Sequence, residues 1–201
     1  MTMRVAVAAS GRGSNLEALL RALGPEAPAR VVLVLSDRAA AGALELARGH
    51  GVPTTHLADP SDAADWLAAL QREQVDLVVL AGYLKLVPAG VIDRYRGRIV
   101  NIHPALLPAF GGRGMYGRRV HEAVLASGVR ESGASVHLVD EVYDRGEVLA
   151  RARVPVLPGD DADRLAARVL EVEHRLLPAV VLAAARAGRP VSLPEAVEIH
   201  P

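Results

Sequence analysis

Short apolar segments alternate with helix-forming segments through the first half of the chain. Apolar strands are predicted over residues 4–9, 31–35, 53–57, 76–81 and 99–103. Helices are predicted between them, over 14–23, 42–48, 62–73 and 89–95. Strands that are apolar along their length are buried on both faces, and a helix between successive strands is typical of parallel crossovers. The pattern predicts an α/β fold with a doubly wound, mostly parallel sheet and helices on both faces.

The second half of the chain departs from this alternation. Strands over 134–139 and 148–156 flank an acidic turn without an intervening helix, so they are predicted to pair antiparallel. Further helices are predicted over 121–127 and 161–187. Ser61 is predicted to cap the helix that begins at residue 62. No repeat or linker divides the 201 residues, so we expect a single domain.

Composition and charge exclude several classes of protein. Hydrophobic residues make up 51% of the chain and aromatic residues 3%, so the core is expected to consist of Ala, Val and Leu. The 23 basic and 23 acidic residues balance, which argues against a nucleic-acid or membrane surface. One local basic cluster, Arg113, Arg118 and Arg119, fits either a small anion or a solvated loop.

Other absences narrow the expected chemistry and location. The chain has no Cys, which excludes disulfides, thiolate metal sites and a cysteine nucleophile. The seven histidines are scattered without a metal-binding motif, so no metal is expected. The sequence has no signal-peptide pattern and no apolar run of membrane-spanning length, so we expect a cytoplasmic protein.

A glycine-rich loop, Ser10-Gly11-Arg12-Gly13-Ser14-Asn15, follows the first predicted strand and opens the first helix. Its glycines let the backbone approach a ligand closely, and the N–H groups of a helix start bind phosphate. The dinucleotide fingerprint requires Gly or Ala where Leu16 stands, so a nicotinamide cofactor is disfavoured despite Asp37 after the second strand. A phosphate-bearing substrate is the preferred interpretation, with a plain tight turn as the alternative.

The segment Asn101-Ile102-His103-Pro104-Ala105-Leu106-Leu107-Pro108 brings an amide and an imidazole to the end of a buried strand. Asn101 and His103 are two residues apart, so their side chains lie on the same side of an extended backbone. The prolines stiffen the exit from the strand. A rigid pair of donors suits stabilisation of an oxyanion. The alternative is a strand end with a hydrogen-bonded His.

Three acidic or imidazole side chains outside these motifs are further candidates. Asp144 lies in the acidic turn and could orient His103 or relay a proton, although turn formation alone also explains it. Glu173 lies on the long apolar helix, where it needs a polar partner such as a substrate amine or hydroxyl. Its neighbour His174 is expected to be a hydrogen-bonded core residue.

Together these motifs resemble the glycinamide ribonucleotide formyltransferase family over nearly the whole chain. The matching elements are Ser-Gly-x-Gly-Ser-Asn-Leu at 10–16, Leu-Ala-Gly-Tyr at 80–83, Asn-Ile-His-Pro-Ala-Leu-Leu-Pro-Ala-Phe at 101–110, Ser-Gly-Ala-Ser-Val-His-Leu-Val-Asp at 132–140, Val-Pro-Val at 154–156, Gly-Asp at 159–160 and Glu-His at 173–174. The resemblance implies a Rossmann-like formyltransferase fold. It also implies transfer of the formyl group of 10-formyltetrahydrofolate to the amine of glycinamide ribonucleotide, a step of de novo purine (IMP) biosynthesis.

The resemblance also implies a role for each matching residue. The catalytic group would be Asn101, a protonated His103 and Asp144. The ribonucleotide would contact Gly11, Arg12, Gly13, Ser14, Asn15 and Glu173. The folate would contact Tyr83, Leu84, Lys85, Leu86, Val87, Val139, Asp140 and Glu141. Ser135 and His137 would support the site.

The same resemblance divides the expected domain into two halves. Residues 1–100 would form the nucleotide- and phosphate-binding half, and residues 101–201 the catalytic and folate-binding half. The partners would be the two small-molecule substrates, with no nucleic acid, membrane or metal, and the protein would be a monomer or homodimer.

The chain departs from the family pattern at two places. Many members have Pro-Gly-x-His where residues 111–117 read Gly-Gly-Arg-Gly-Met-Tyr-Gly, and four glycines there predict a mobile loop that closes over substrate. Lys85 stands where an Arg is common near the folate, which keeps the charge and loses the forked geometry.

Several alternatives remain open at the level of sequence. They are another 10-formyltetrahydrofolate-dependent formyltransferase, a formyltetrahydrofolate hydrolase, a catalytically silent nucleotide-binding module and, least favoured, a nicotinamide-dependent oxidoreductase. A methionyl-tRNA formyltransferase is expected to carry a further C-terminal domain, and a hydrolase a further N-terminal one. Neither is expected within these 201 residues.

Overall fold

A computed structural model describes residues 2–193, so Met1 and residues 194–201 of the predicted domain lie outside the described part. The elements follow in the order β1 Met3–Ala8, α1 Ser14–Ala22, β2 Ala29–Ser36, α2 Gly42–Gly49, β3 Thr54–His56, α3 Ala63–Arg72, β4 Leu77–Leu80, α4 Ala89–Arg94, β5 Ile99–His103, α5 Arg118–Ser127, β6 Glu131–Leu138, β7 Val148–Pro155 and α6 Ala162–Ala187. Within the described range, no helix combines the length and the apolar character needed to cross a bilayer.

The seven strands form one sheet in the order β3-β2-β1-β4-β5-β6-β7. The pairs among β1 to β5 are parallel, whereas β6 pairs antiparallel with both β5 and β7. The chain first runs outward from β1 to β3 and then returns to place β4 on the other side of β1. Ligands bind at such a reversal, beyond the carboxyl ends of the strands. The predicted fold class is confirmed.

Alternate residues of the central strands pack against helices on opposite faces of the sheet. In β1, Val5 and Val7 belong to one apolar cluster, and Ala6 and Ala8 belong to the other. The first cluster includes residues of α1, α2, α5 and α6, and the second is built on α3 and α4. Burial on both faces explains why these strands read as continuous apolar runs.

Some element boundaries differ from the sequence-based expectation. Helix α5 begins at Arg118, three residues before the predicted start, directly after Gly117 with its positive φ of 56°. Strand β6 begins at Glu131 rather than at Ala134, because Glu131 already pairs with Pro155 of β7. Pairing across the sheet, which the local sequence does not reveal, extends the strand.

The predicted cap of α3 is wrong by one residue. Asp62 is the N-cap, and its carboxylate accepts a hydrogen bond from the N–H of Ala64 at 2.7 Å. Ser61 instead donates its hydroxyl hydrogen to Asp59 at 2.6 Å. Both residue types are favoured at the cap, so only the local path of the backbone decides between them.

This cap gives a prediction about stability. Asp62→Ala removes the acceptor for the Ala64 N–H and should lower the free energy of unfolding by about 1 kcal/mol. Ser61→Ala is the matched control and should change it by less than about 0.5 kcal/mol. Urea denaturation followed by circular dichroism measures both. Equal losses in the two variants would contradict the assignment of the cap.

Candidate active site

A cavity of about 750 Å³ lies at the carboxyl edge of the sheet. Its walls are the segments that follow β1, β4 and β5, the turn before β7, the start of α5 and one face of α6. This volume lies in the range that is typical of small-molecule sites. The position matches the reversal of strand order between β1 and β4.

The glycine-rich loop forms one end of this cavity. All five residues predicted to contact the ribonucleotide there, Gly11 to Asn15, line the wall. Gly13 has a φ of 90° and packs so closely on α2 that an added Cβ would lie 2.9 Å from Ala43 Cα. Gly13 is also the N-cap of α1 and has no side chain to bond its first N–H groups. Those N–H groups therefore remain available to an anion.

In this wall, Asn15 of α1 contacts Glu173 of α6, 158 positions later in the sequence. The Asn15 amide donates a 2.6 Å hydrogen bond to Glu173 Oε2, and both side chains are buried. Among residues 2–193, Asn15 Oδ1 has no hydrogen-bond partner. Burial raises the pKa of Glu173 to about 7, although the Asn15 hydrogen bond opposes the shift. The pair offers a ligand an acceptor beside a carboxyl group that is partly protonated at neutral pH.

His103 lies at the carboxyl end of β5, and its contacts define its protonation. Nε2 lies 2.8 Å from the carbonyl oxygen of Phe110, which can only accept, so Nε2 carries the proton of the neutral ring. Nδ1 then presents a lone pair 3.6 Å from Asp144 Oδ2. Burial lowers the pKa of His103 by more than Asp144 raises it. The imidazole is therefore neutral at pH 7 in this structure, whereas the resemblance implied a protonated ring.

Asn101 contacts the other two polar side chains of the site. Its amide nitrogen lies 3.0 Å from His137 Nε2 and donates to Asp144 Oδ1 at 3.5 Å. His137 Nδ1 lies 2.7 Å from the carbonyl oxygen of Leu138, so Nδ1 carries the proton and Nε2 accepts from Asn101. The bond to Asp144 is at the outer limit of hydrogen-bond length. The N–H of Asn101 that bonds Asp144 is therefore held weakly and can turn towards a developing negative charge.

Asp144 lies where the acidic turn meets β5, β6 and the glycine loop at 111–117. Its Oδ2 accepts from the N–H of Gly112 at 2.9 Å, and its Oδ1 lies 3.4 Å from His137 Nε2. Burial raises the pKa of Asp144, but contacts with His137, His103 and the Gly112 N–H lower it by more. The carboxylate is therefore ionised at neutral pH. The backbone φ of 55° falls in a region that Asp tolerates better than most residues.

Ser135 lies beneath the site rather than in its wall. Its buried hydroxyl accepts from the N–H of Leu107 at 3.0 Å and donates to the carbonyl oxygen of Ala105 at 2.7 Å. Arg151 donates two further hydrogen bonds to the carbonyl oxygen of Leu107. These contacts hold the segment that leaves β5, so Ser135 supports the loop and does not face a ligand.

The residues implied for the folate form the opposite end of the cavity, with one exception. Tyr83 to Val87, Val139 and Asp140 line the wall. Tyr83 is buried and packs edge-to-face on Trp66, with ring centroids 5.4 Å apart. Glu141 is not among the lining residues, and it forms an exposed ion pair with Arg96 at 3.0 Å. The structure therefore places Glu141 outside the cavity.

The basic cluster is partly neutralised by its neighbours. Arg118 is paired with Glu122 of its own helix and with Asp163 of α6. Arg119 lies over the ring of Tyr116, with its guanidinium carbon 5.5 Å from the ring centroid. Arg118, Tyr116 and Asp163 line the cavity, whereas Arg113 and Arg119 are not among the lining residues.

Sequence reasoning missed several lining residues. Four of them precede Glu173 at helical spacing and share its face of α6, namely Asp163, Ala166, Ala167 and Leu170. The helical period counted back from Glu173 would have identified them. Tyr143 precedes Asp144 and also lines the wall. His121 lines the cavity and is buried, and no local pattern indicated it.

The chain is similar to proteins of one kind along most of its length. A family model described as formyl transferase matches residues 3–181. The chloroplastic phosphoribosylglycinamide formyltransferase of Vigna unguiculata is 43% identical over 185 residues, which cover 89% of this chain and 59% of that protein. The phosphoribosylglycinamide formyltransferase of Mycobacterium tuberculosis is 44% identical over 191 residues, which cover 92% of this chain and 86% of that protein.

Solved structures agree with these relatives. The crystal structure of phosphoribosylglycinamide formyltransferase from Anaplasma phagocytophilum matches with a TM-score of 0.87 at 36% identity, covering 93% of this chain and 88% of that one. The present chain spans less than two thirds of the length of the Vigna protein.

The contacts of Ser135 lead to a prediction about stability. Ser135→Ala leaves the Leu107 N–H and the Ala105 carbonyl without their partner, and should lower the free energy of unfolding by about 1–3 kcal/mol. Ser132→Ala is the matched control, because the Ser132 hydroxyl is also buried but has no hydrogen-bond partner among residues 2–193. Chemical denaturation should show almost no loss for the control. Similar losses in both variants would refute the supporting role of Ser135.

Glu173 leads to a prediction about pH. Its pKa is about 7 in the folded protein against an ordinary value of 4.5. The folded state therefore binds the proton more tightly, and the unfolding free energy falls as pH rises from 4.5 to 7 and is level above that. Glu173→Gln removes this loss. Between pH 5 and pH 8, its unfolding free energy should therefore rise by roughly 2 kcal/mol relative to that of wild type. Denaturation curves at the two pH values measure the gain, and parallel profiles would contradict the raised pKa.

Proposed function

The chain belongs to the formyl transferase family, and we propose that it transfers the formyl group of 10-formyltetrahydrofolate to the glycyl amine of glycinamide ribonucleotide. The products are formylglycinamide ribonucleotide and tetrahydrofolate, in purine biosynthesis. The observation that carries the proposal is the convergence of Asn101, His103 and Asp144 between the glycine-rich loop and the 82–87 segment. A folate-type co-substrate follows from the family.

The ribonucleotide is proposed to bind at the glycine-rich end. Its phosphate accepts hydrogen bonds from the N–H groups of Ser14 and Asn15 at the start of α1, where the helix dipole also favours an anion. Arg12 lines the same wall and adds a positive charge. Asn15 Oδ1 and Glu173 are the acceptors nearest to this end, and they suit the hydroxyl groups of a ribose.

The folate is proposed to bind between the 82–87 segment and the acidic turn. This part of the wall combines apolar side chains with backbone groups, which suits a flat heteroaromatic ring that carries hydrogen-bonding edges. Lys85 lies at the same end and can attract the carboxylates of a folate tail. The formyl group then lies next to Asn101 and His103.

The proposed reaction is a direct transfer. The amine nitrogen attacks the formyl carbon and forms a C–N bond, and the carbonyl oxygen takes the negative charge of a tetrahedral intermediate. An N–H of Asn101 and the imidazole of His103, once Nδ1 is protonated, stabilise that oxygen. The bond between carbon and N10 of the folate then breaks, and the proton that the amine loses is delivered to N10.

Asp144 is proposed to accept and pass on the proton during this reaction. It is ionised at neutral pH, so it can accept the proton of the attacking amine directly or through a water molecule. Its carboxylate also faces Nδ1 of His103 and raises the pKa of that ring. As negative charge develops on the substrate oxygen, the protonated form of His103 is favoured further. In the proposed sequence, the proton that Asp144 takes from the amine passes to Nδ1 of His103 and from there to N10, so the ring is charged while the oxygen carries its negative charge.

One assay tests the proposal against its nearest alternative. Purified protein is mixed with 10-formyl-5,8-dideazafolate, and the absorbance of the deformylated product is followed with and without glycinamide ribonucleotide. Product that forms only in the presence of the ribonucleotide supports the transferase. Product that forms without it indicates a hydrolase. No product in either case indicates another formyl acceptor or a silent binding module.

The catalytic roles lead to a kinetic prediction. His103→Ala and Asp144→Asn should each lower kcat by about 10²–10⁴-fold, because each removes a group that stabilises the transition state. Both variants should remain folded at the assay temperature, which circular dichroism measures. His56→Ala, which alters an exposed histidine of β3, is the control and should keep full activity. Near-normal kcat in both site variants would refute the assigned roles.

A further inference from the structure

A single buried serine connects the two ends of the cavity. The N–H of Ser10 donates to the carbonyl oxygen of Gly82, and the hydroxyl of Ser10 accepts from the N–H of Leu84, each at 3.0 Å. Ser10 is 2% exposed and is not among the residues that line the cavity. It begins the glycine-rich loop, while Gly82 and Leu84 belong to the segment at the folate end. These two hydrogen bonds join residues that are more than 70 positions apart in sequence.

The 82–87 segment is anchored at its end by the buried Val87, whereas its middle has fewer contacts. Leu84 and Leu86 are 37% and 48% exposed, so they contribute few apolar contacts. Gly82 has a φ of 74°, a conformation that glycine adopts without strain. Tyr83 on Trp66 and the two bonds to Ser10 are the contacts that hold the first part of the segment. The positions of the Gly82 carbonyl and the Leu84 N–H therefore depend in part on how firmly Ser10 is held.

We propose that Ser10 is a positioning residue that couples the two substrate sites, so that ribonucleotide bound at the glycine-rich loop increases the affinity of the 82–87 segment for folate, and the reverse. The inference rests on the proposed function, because it assumes that the two ligands occupy these two segments. A phosphate on the first N–H groups of α1 fixes the loop that Ser10 begins. Ser10 in turn fixes the Leu84 N–H. Part of the conformational entropy that folate binding would remove has then already been lost when folate binds.

The size of the coupling follows from the hydrogen bond that carries it. A buried hydrogen bond contributes enough to stability to change an equilibrium constant several-fold, so we expect saturating ribonucleotide to lower the Kd of the folate about five-fold. Linkage requires the folate to lower the Kd of the ribonucleotide by the same factor. Agreement between the two coupling factors in wild type checks the binding measurements without the use of a variant.

The test measures binding rather than turnover. The Kd of 5,8-dideazafolate, which carries no formyl group to transfer, is determined by calorimetry with and without glycinamide ribonucleotide. In Ser10→Ala the coupling factor should fall from about five-fold to below about two-fold. Ser10→Thr retains the hydroxyl and should restore it. Ser132→Ala is the matched control, since Ser132 is also 2% exposed, and it should retain the wild-type factor.

A second measurement follows the hydrogen bond itself. Exchange of the Leu84 amide hydrogen, observed by NMR, should slow several-fold in wild type when glycinamide ribonucleotide alone is added. The same ribonucleotide should leave this rate unchanged in Ser10→Ala. If Ser10 only stabilised the fold, Ser10→Ala would raise amide exchange throughout the protein and leave the coupling factor intact.

The outcomes separate this inference from the proposed function. Ribonucleotide that binds wild type without changing the folate Kd overturns the coupling and leaves the proposed function standing. A coupling factor that is the same in Ser10→Ala and wild type also overturns it. Ribonucleotide that fails to bind wild type contradicts the proposed function, and the inference falls with it.

Discussion

The site depends on one buried carboxylate, that of Asp144. Its two oxygens lie within 3.6 Å of His103, His137 and Asn101 and of the backbone N–H of Gly112. These groups come from β5, from β6 and from the glycine loop, so a single negative charge connects three separate segments of the chain. A partly buried charge that accepts from the N–H groups of Gly112 and Asn101 costs less than an isolated one, and its position is correspondingly defined. The acidic turn therefore has a fixed place although it lies at the surface.

Electrostatic differences along the cavity divide it into two chemical environments. At one end Glu173 is buried and its pKa is raised to about 7, beside helix N–H groups that favour an anion. Between the two ends, Asp144 stays ionised next to the neutral imidazole of His103. Two carboxyl groups in one cavity thus differ in protonation because their surroundings differ. In the proposed reaction, the first environment binds the phosphorylated ligand and the second transfers the proton.

The local sequence was sufficient to predict the fold and part of the site. Continuous apolar strands, glycines at a helix start, and Asn101 and His103 two residues apart in a strand are patterns with a direct geometric meaning. Contacts between distant residues were not predictable in this way. The bond from Asn15 to Glu173 spans 158 positions, and the tautomer of His137 depends on where the carbonyl of Leu138 points. The resemblance implied that Glu141 contacts the folate, but the turn directs it towards Arg96.

The proposed site is tested most directly by a crystal structure of the protein with glycinamide ribonucleotide and 5,8-dideazafolate bound together. We expect the phosphate on the N–H groups of Ser14 and Asn15, and the heteroaromatic ring between the 82–87 segment and the acidic turn. The glycyl amine should then lie within hydrogen-bond reach of Asn101 or Asp144. A phosphate bound instead at Arg118 and Arg119, with the amine remote from Asp144, would contradict the proposed site.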